Sequence, residues 1–285
     1  MSVATASRAG ARTGYRRPLL MGVVNVTPDS FSDGGRHAEH TAAVAHGLLL
    51  REQGADLLDV GGESTRPGAE RPSEAEELRR VVPVVADLAA AGARMSVDTM
   101  RASVAAAALD AGAEIVNDVS GGLADPQMAP LVAERDATFV AMHWRGHSAD
   151  MQTRAVYEDV VSQVREELLE RVAALRAAGV REERLVLDPG YGFAKPPQQS
   201  WRLLAHLDDL VGLGYPVLVG TSRKTFLGRL GLDADAEPLA PLDRDAATAA
   251  TTTYAAQHGA WAVRVHDVVG SRAALDVLDA LEESR

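Results

Sequence analysis

The chain of 285 residues contains no cysteine, which excludes a disulfide framework, a thiol nucleophile and a thiolate-bound metal. It also lacks an apolar run near the ~18 residues that a membrane-spanning helix requires. Two polar residue types are scarce: the lysines are Lys195 and Lys224, against 27 arginines, and the asparagines are Asn25 and Asn117. Codon bias explains such scarcity in general, but rare types can persist where chemistry requires them. These four residues are therefore candidates for functional positions.

The charge balance is acidic, with 29 basic and 40 acidic residues, a net charge of −11 and a pI of about 5.2. A nucleic-acid-binding protein usually carries a basic face, so we expect no nucleic-acid partner. The hydrophobic share of 46% and the charged share of 24% are typical of a folded globular protein. An anionic ligand would have to be held by a few local cations against the overall field.

Residues 1–17 carry four arginines and no acidic residue. This composition is similar to that of a transit peptide, but a disordered N-terminal extension of a bacterial protein is the favoured interpretation. We expect a single folded domain at residues 18–285, with no linker inside it. The absence of cysteine fits a reducing compartment, and we expect a cytoplasmic protein.

From Pro18 onward, short apolar runs alternate with amphipathic stretches eight times. Alternating strands and helices predict parallel pairing with right-handed crossovers. Eight such units at this length fit a single-domain α/β fold, the (β/α)8 TIM barrel, and a doubly wound sheet is the alternative. The predicted strands are 19–26, 57–60, 95–98, 114–119, 138–143, 185–188, 216–221 and 261–266, and the predicted helices are 40–53, 73–91, 101–111, 126–135, 156–178, 198–211, 243–258 and 270–283.

Polar side chains stand near the end of nearly every predicted strand, where a barrel places its active site. A polar group buried at a strand end costs free energy unless it finds a partner, so this recurrence predicts a binding site. Single positions have other interpretations, since Asp98 can cap a helix beginning near Arg101 and Asn25 can support the following turn. The polar residues are Asn25, Asp59, Asp98, Asn117, Asp118, His143, Asp188, Lys224, Arg264 and His266, and Lys195 follows strand six.

Two predicted βα loops are long and rich in glycine, at residues 25–35 and 61–68. Long loops of this kind in a compact domain are often binding loops or lids. Phe31 and Arg66 stand among small residues in these loops, which turn chemistry alone does not explain. Both loops are therefore expected to contribute to the site.

Six segments resemble the dihydropteroate synthase family. They are MGVVNVTPDSFSDGG (21–35), DVGGESTRPGA (59–69), SVDTMRASVAAAALDAGAEIVNDVSGG (96–122), DPGYGFAK (188–195), GTSRKTFLG (220–228) and VRVHDV (263–268). The similarity runs from about Pro18 to Leu281, and only the N-terminal tail and residues 233–241 lie outside it. The order of these motifs and their places at successive strand ends make the resemblance specific.

The resemblance implies a transferase of folate biosynthesis. Its small-molecule substrates would be 6-hydroxymethyl-7,8-dihydropterin diphosphate and 4-aminobenzoate, and its products 7,8-dihydropteroate and diphosphate. The family mechanism passes through an SN1-like pterin cation, with Mg²⁺ on the diphosphate. Family members are usually homodimers, and neither a membrane nor a nucleic acid is an expected partner.

The resemblance also assigns roles to residues, and their chemistry suits those roles. Carboxylates accept hydrogen bonds from pterin N–H groups, and an amide oxygen suits Mg²⁺ that keeps several waters. Lys224 precedes a predicted helix start, whose free N–H groups suit a carboxylate. The pterin site would comprise Asp98, Asn117, Val119, Met142, Asp188, Phe193, Gly220 and Lys224; the diphosphate site Asn25, Thr65, Arg66, Arg264 and His266; the 4-aminobenzoate site Phe31, Thr65, Arg66, Pro67, Ser222 and Thr225; the metal ligand Asn25; and the catalytic set Lys224, Asp98, Arg264 and His266.

Two related functions compete with this interpretation. A methyltetrahydrofolate-dependent methyltransferase shares the barrel and a pterin slot, but such enzymes lack the NVTPDSFSDGG and SRK motifs found here. A catalytically inactive pterin-binding homologue would retain the slot without turnover, and measured turnover with both substrates separates it from a synthase. The sequence shows neither the basic patch of a nucleic-acid-binding module nor the exposed apolar stripe of a protein-interaction module.

Overall fold

A computed structural model describes residues 15–27, 35–63, 71–146, 155–233 and 235–285. Within these ranges the chain forms eight strands, and each overlaps a predicted strand. The strands are β1 Leu19–Asn25, β2 Leu57–Gly61, β3 Met95–Asp98, β4 Ile115–Asp118, β5 Thr138–Met142, β6 Leu185–Asp188, β7 Leu218–Val219 and β8 Ala262–Val265.

The eight strands form one parallel sheet in the order β6-β5-β4-β3-β2-β1-β8-β7. A parallel bridge between Leu187 on β6 and Val217 beside β7 joins the two ends of this sheet. The predicted (β/α)8 barrel is therefore confirmed. The doubly wound alternative is wrong, because an open sheet would leave its two edge strands apart.

Helices alternate with the strands and cover the outside of the barrel. No helix in the described ranges is both long and apolar enough to cross a membrane. The helices are α1 Gly35–Glu52, α2 Glu74–Ala90, α3 Ala102–Asp110, α4 Met128–Arg135, α5 Val160–Ala177, α6 Pro197–Ala205, α7 Leu207–Val211, α8 Asp245–Gln257 and α9 Val268–Glu283.

Helix α2 shows how the local sequence determines an element of this outer layer. The Ser73 hydroxyl accepts the backbone N–H of Glu76 at 3.2 Å, so Ser73 caps the start of the helix. Gly92, with a φ of +79°, follows the last turn in a conformation that favours glycine. Between these ends, Val81 and Leu88 lie on a fully buried face. The amphipathic pattern thus places one face of the helix against the strands.

Three predicted elements differ from the structure. The helix predicted at 198–211 is broken at His206, whose backbone leaves the helical region, so it forms α6 and α7. The strand predicted at 216–221 is reduced to Leu218–Val219. The helix start predicted after Lys224 is wrong, because the chain forms a single 3-10 turn at Leu227–Arg229. A turn this short lacks the aligned N–H groups of an α-helix.

The N-terminal residues that the structure describes lie against α9. Arg17 donates a hydrogen bond to Asp276 at 2.8 Å and also pairs with Asp279. Residues 1–14 lie outside the described residues, so the predicted disorder of the extension stays a prediction.

Candidate active site

The candidate site begins directly above an apolar layer inside the barrel. One buried cluster contains Met21, Leu57, Ile115, Val140, Val186, Leu218 and Ala262, one from each of seven strands. Side chains alternate along a strand, so the residue two positions later faces the same interior, nearer the carboxyl end. For six of these strands that residue is Asp59, Asn117, Met142, Asp188, Gly220 or Arg264. Four of these six residues are polar, so the interior changes from apolar to mainly polar within one layer, at the end where barrels carry their active sites.

Arg264 lies between two carboxylates in this layer. Its Nε donates to Asp59 Oδ2 at 2.6 Å and its Nη2 to Asp98 Oδ2 at 2.8 Å. The Asp59 side chain is fully buried, whereas those of Asp98 and Arg264 keep 13% and 21% of their exposure. Asn117 Nδ2 also donates to Asp59 Oδ2, at 3.0 Å. Asp59 therefore fixes both Arg264 and Asn117 from below, and Asp98 stands at the accessible side.

Burial and the neighbouring charges change the titration of this cluster. Burial raises the pKa of Asp98 to about 7, Arg264 opposes that shift, and Asp59 adds to it. The same two carboxylates outweigh the burial of Arg264 and raise its pKa, so the guanidinium stays charged. Burial also raises the pKa of Asp188. The cluster therefore combines a permanently charged guanidinium with carboxyl groups that ionise less readily than an exposed aspartate.

The strand register places Asn25 and Asn117 in one row with Asp98. Asn25 of β1 is opposite Gly61 of β2, Gly61 is opposite Asp98 of β3, and Asp98 is opposite Asn117 of β4. A Cβ on Gly61 would come within 3.2 Å of the Asp98 Cβ, so a small residue is required there. The two asparagines of the chain thus lie in the same row of the sheet, on either side of Asp98.

Lys224 lies on the opposite side of the barrel, over the ring of Phe193. Its Nζ is 3.6 Å from the ring centroid, a cation–π distance. Burial lowers the pKa of Lys224 to about 8, and the positive charge of Arg264 lowers it further. The preceding residue, Arg223, has a φ of +58° and is held by two hydrogen bonds to Asp245, of 2.7 and 2.8 Å. The turn at Arg223 connects the end of β7 to Lys224.

Ser222 and His266 are joined across the ends of β7 and β8. The Ser222 hydroxyl lies 3.0 Å from His266 Nδ1 and accepts the His266 backbone N–H at 3.1 Å. His266 stands two residues beyond Arg264, so both are on the same side of β8. The histidine that the sequence assigns to the diphosphate is therefore oriented by the serine assigned to 4-aminobenzoate.

The structure describes five of the remaining predicted site residues and leaves four outside the described ranges. Met142 is buried, Val119 and Phe193 are half-buried, and Gly220 is close enough to Asp188 that a Cβ there would be 3.6 Å from Oδ2. Thr225 is exposed. The predicted residues Phe31, Thr65, Arg66 and Pro67 lie outside the described residues.

The capping interpretation of Asp98 is wrong. Helix α3 begins at Ala102, and the carboxylate that accepts the Ala102 N–H, at 2.8 Å, belongs to Asp125. Asp98 instead accepts from Arg264, which follows from the register of β3 in the closed barrel. A sequence does not show which distant arginine a carboxylate will meet.

Four other residues of this region received no specific role from the sequence, although Asp59, His143 and Lys195 were among the polar residues named near the strand ends. Asp59 ends a strand in the sequence, and its position two residues after buried Leu57 was an available signal. His143 and Lys195 are also buried, and Lys195 Nζ lies 2.9 Å from His143 Nδ1. Glu167, which contacts His143, stands in the middle of α5, and nothing in the local sequence distinguishes it from a solvent-exposed helix residue.

Few side chains near the strand ends are suited to hold a divalent cation. Within the described residues, no group of three or more histidine, aspartate or glutamate side chains is placed to hold a metal. Asn25 is a half-buried amide at the end of β1, and its oxygen is a hard ligand. Mg²⁺ often takes one or two protein oxygens and completes its shell with water and substrate phosphate. These residues fit Mg²⁺ delivered with a diphosphate, and do not form a closed protein cage.

The fold and this site define a (β/α)8-barrel enzyme with a polar slot at the carboxyl ends of its strands. A model of the pterin binding enzyme family matches residues 21–266. A dihydropteroate synthase of Mycobacterium leprae is 55% identical over 262 residues, which is 92% of each chain. The structure of Xanthomonas albilineans dihydropteroate synthase with 4-aminobenzoic acid is 47% identical, covers 93% of both chains and superposes with a TM-score of 0.85. That enzyme with 7,8-dihydropteroate is 45% identical over 93% of this chain and 94% of that one, with a TM-score of 0.82.

This chain belongs to the dihydropteroate synthase family of pterin-binding enzymes. The resemblance drawn from the six motifs is confirmed.

Proposed function

We propose that the protein joins 6-hydroxymethyl-7,8-dihydropterin diphosphate to 4-aminobenzoate, giving 7,8-dihydropteroate and diphosphate. The observation that carries the proposal is the buried polar layer in which Asp98 and Asp59 flank Arg264, with Asn117 bonded to Asp59. A pterin presents a fixed edge of donors and acceptors, and complementary buried groups select such an edge strongly. The relatives support the reaction, since the X. albilineans structures contain 4-aminobenzoic acid and 7,8-dihydropteroate.

The proposed chemistry is a substitution at the pterin methylene carbon. The bond from this carbon to the diphosphate oxygen breaks, and the amine nitrogen of 4-aminobenzoate forms the new C–N bond. That nitrogen then loses a proton, which is acidic enough to need no strong base. Arg264 and His266 stabilise the charge that develops on the leaving diphosphate.

The pterin roles follow from the chemistry of the side chains. Asp98 and Asp188 accept from ring N–H groups, Asn117 provides an amide, and Lys224 donates to ring acceptors. Met142 and the Phe193 ring form apolar walls for the flat heterocycle. We assign Phe31, Thr65, Arg66, Pro67, Ser222 and Thr225 to the 4-aminobenzoate and diphosphate side, as the family motifs imply.

Mg²⁺ is proposed as the cofactor, with Asn25 as its protein ligand. When bound with the diphosphate, the ion would neutralise leaving-group charge. Asn25 stands at the end of β1 opposite Gly61, where a larger side chain would crowd Asp98.

Diphosphate release measured with and without 4-aminobenzoate tests the function. Release that depends on both substrates, with 7,8-dihydropteroate as the product, is the expected result. A protein that binds the pterin but releases no diphosphate would be the catalytically inactive homologue, the alternative function.

Asn25→Ala is expected to raise the Mg²⁺ concentration needed for half-maximal activity by about tenfold, because one oxygen ligand is lost. Binding of the pterin diphosphate should weaken more than binding of the pterin alcohol, which carries no phosphate to hold the ion. Activity over a Mg²⁺ titration and calorimetry with the two pterins measure these effects. Full activity across the titration would make Asn25 a structural residue.

The pKa of Asp98, raised to about 7 by burial, predicts a pH-dependent affinity. Below pH 7 the protonated carboxyl accepts fewer hydrogen bonds from the ligand, so affinity for the uncharged pterin alcohol should fall as pH decreases. Asp98→Asn should weaken binding by roughly tenfold to a hundredfold at pH 8 and remove this pH dependence. Calorimetry between pH 6 and 8.5, with melting curves to confirm folding, checks both. Unchanged affinity in a folded variant contradicts the role.

A homodimer is also proposed, as in the family. An apolar groove between α6 and α8 supports this, since it is lined by Trp201, Leu204, Ala247 and Tyr254. Sedimentation equilibrium tests it, and a monomer at micromolar concentration would contradict it. A cytoplasmic location stays a prediction.

A further inference from the structure

A buried lysine lies outside the groups that the proposed chemistry uses. The Lys195 side chain is at the end of the loop that follows β6, and the residue is only 3% exposed. Its Nζ lies 2.9 Å from His143 Nδ1 and donates to the backbone oxygens of Gly190 and Phe193, each at 3.1 Å. Burial lowers the pKa of Lys195 to about 7, and the three acceptors around Nζ match the three donors of the ammonium form.

The contact to Lys195 fixes the state of His143. Because Nδ1 faces the ammonium donor, it carries the lone pair, and Nε2 carries the proton that is donated to Glu167 at 2.9 Å. Burial lowers the pKa of His143 to about 4, and the Lys195 charge lowers it further, so the ring is neutral at pH 7. Glu167 on α5 also pairs with Arg145, which anchors this chain of contacts to the outer helix.

The loop held by Lys195 has a conformation that needs support. Gly190 and Gly192 have φ values of +69° and +74°, and Ala194, which has a side chain, has a φ of +47°. A left-handed alanine costs free energy and persists only where neighbouring contacts enforce it. The bonds from Lys195 to Gly190 and Phe193 span this loop from one end to the other.

The loop presents Phe193 to the active site. The ring lies 3.6 Å from Lys224 Nζ, and the residue before it, Gly192, packs on the Lys224 stem, since a Cβ there would be 3.3 Å from Cδ. At the other end of the loop, Gly190 N–H donates to Asp188 Oδ1 at 2.7 Å. Two predicted pterin-binding groups and the aromatic wall therefore depend on one loop conformation.

We propose that Lys195 is a positioning residue for pterin binding: with His143 as its acceptor, it holds the loop at residues 188–195 so that Phe193 lies against Lys224. Lys195 does not touch the pterin and acts through Phe193. The inference rests on the proposed function, because it assumes that the slot beside Lys224 binds a pterin.

The first experiment compares Lys195→Met with the wild type. Methionine keeps a stem of similar length and removes all three donors. Calorimetry with 6-hydroxymethyl-7,8-dihydropterin diphosphate should show affinity reduced by about tenfold, and KM for this substrate should rise similarly. KM for 4-aminobenzoate should change by less than about twofold. Arg202→Met, which removes an exposed cation from nearby α6, is the matched control and should leave both values unchanged.

A double-variant cycle separates positioning from general stabilisation. If Lys195 acts through Phe193, adding Lys195→Met to Phe193→Ala should cause little further loss of pterin affinity. If the fold-losses of pterin affinity in the two single variants multiply in the double variant, Lys195 acts independently of Phe193 and the proposal is overturned. A lower melting temperature with unchanged pterin affinity would also overturn it, since the lysine would then only stabilise the fold. Failure of the proposed function would be seen in the wild type itself, as an absence of pterin binding. It is therefore distinguishable from failure of the inference about Lys195, which concerns only the variants.

Should Lys195→Met fail to fold, two substitutions of His143 make the same test. His143→Asn keeps an acceptor near the Nδ1 position, whereas His143→Leu removes it. The asparagine variant should retain pterin affinity within about threefold, and the leucine variant should lose about tenfold. Equal affinities in these two variants would overturn the proposal.

Discussion

Arg264→Met is expected to lower the free energy of unfolding by about 3–5 kcal/mol, because it leaves two buried carboxylates without their cation. The Asp59 side chain is fully buried, that of Asp98 is 13% exposed, and each accepts a hydrogen bond from the guanidinium. Urea unfolding at pH 8 measures the loss. The matched control is Arg94→Met, whose pair with Glu114 spans 3.3 Å and is half-exposed on both sides. That variant should change stability by less than about 1 kcal/mol.

The pH dependence of this loss has a definite sign. In the wild type, burial already raises the pKa of Asp98 to about 7, and Arg264 opposes that rise. Without Arg264, the pKa of Asp98 therefore rises further above that of an unfolded aspartate, which is about 3.9. The folded variant then binds more protons than the unfolded chain, so its stability falls as pH increases through this window. The deficit against the wild type should therefore be smaller at pH 5.5 than at pH 8. A loss no larger than that of Arg94→Met would show that Arg264 does not hold this cluster together.

The sequence predicted the barrel because its signals are local and repeated. Each strand is a short apolar run, and boundaries such as Ser73 and Gly92 are set by residues next to them. The convergence of polar residues was predicted for a related reason. Closing a parallel barrel brings all strand ends together, so Asp98 and Arg264 come into contact although they are 166 residues apart along the chain.

Pairings within the site could not be predicted, because they depend on register between distant strands. Asp59 and Asp98 share Arg264 only because β8 pairs with β1 in the observed alignment. Glu167 contacts His143 through the packing of α5, which apolar periodicity does not specify at the level of one polar side chain. The single turn after Lys224 has a local cause instead, since Thr225, Phe226 and Gly228 have low helix propensity.

The scarcity of lysine acquires a physical meaning in the structure. Both lysines, Lys195 and Lys224, are buried or half-buried beside the same loop, and each follows a residue with positive φ, Ala194 or Arg223. Arginine supplies the charge elsewhere on this protein. A compact ammonium fits where a planar guanidinium would be too wide.

Lys224→Arg is therefore expected to reduce kcat/KM by about a hundredfold while the protein stays folded. Lys224 Nζ lies 3.6 Å above the Phe193 ring. A guanidinium placed there would either displace the ring or move out of hydrogen-bond reach of the pterin acceptors. The Lys224 stem is also confined by Gly192. Displacement of a positioning group by about 1 Å costs up to a hundredfold in rate. Turnover and thermal melting are measured on the same preparation, and Arg202→Lys, at an exposed position on α6, exchanges the same two residue types as a control.

The pH profile gives a second, independent test of Lys224. Burial lowers its pKa to about 8, so the ammonium, and any hydrogen bond it donates to the pterin, is lost as pH rises through 8. The wild type should lose activity between pH 8 and 9.5, whereas the residual activity of Lys224→Arg should not, because arginine stays protonated. A stable Lys224→Arg enzyme with full activity would remove Lys224 from the substrate pocket. A parallel decline in both enzymes would assign the titration to another group and leave only the steric argument for this lysine.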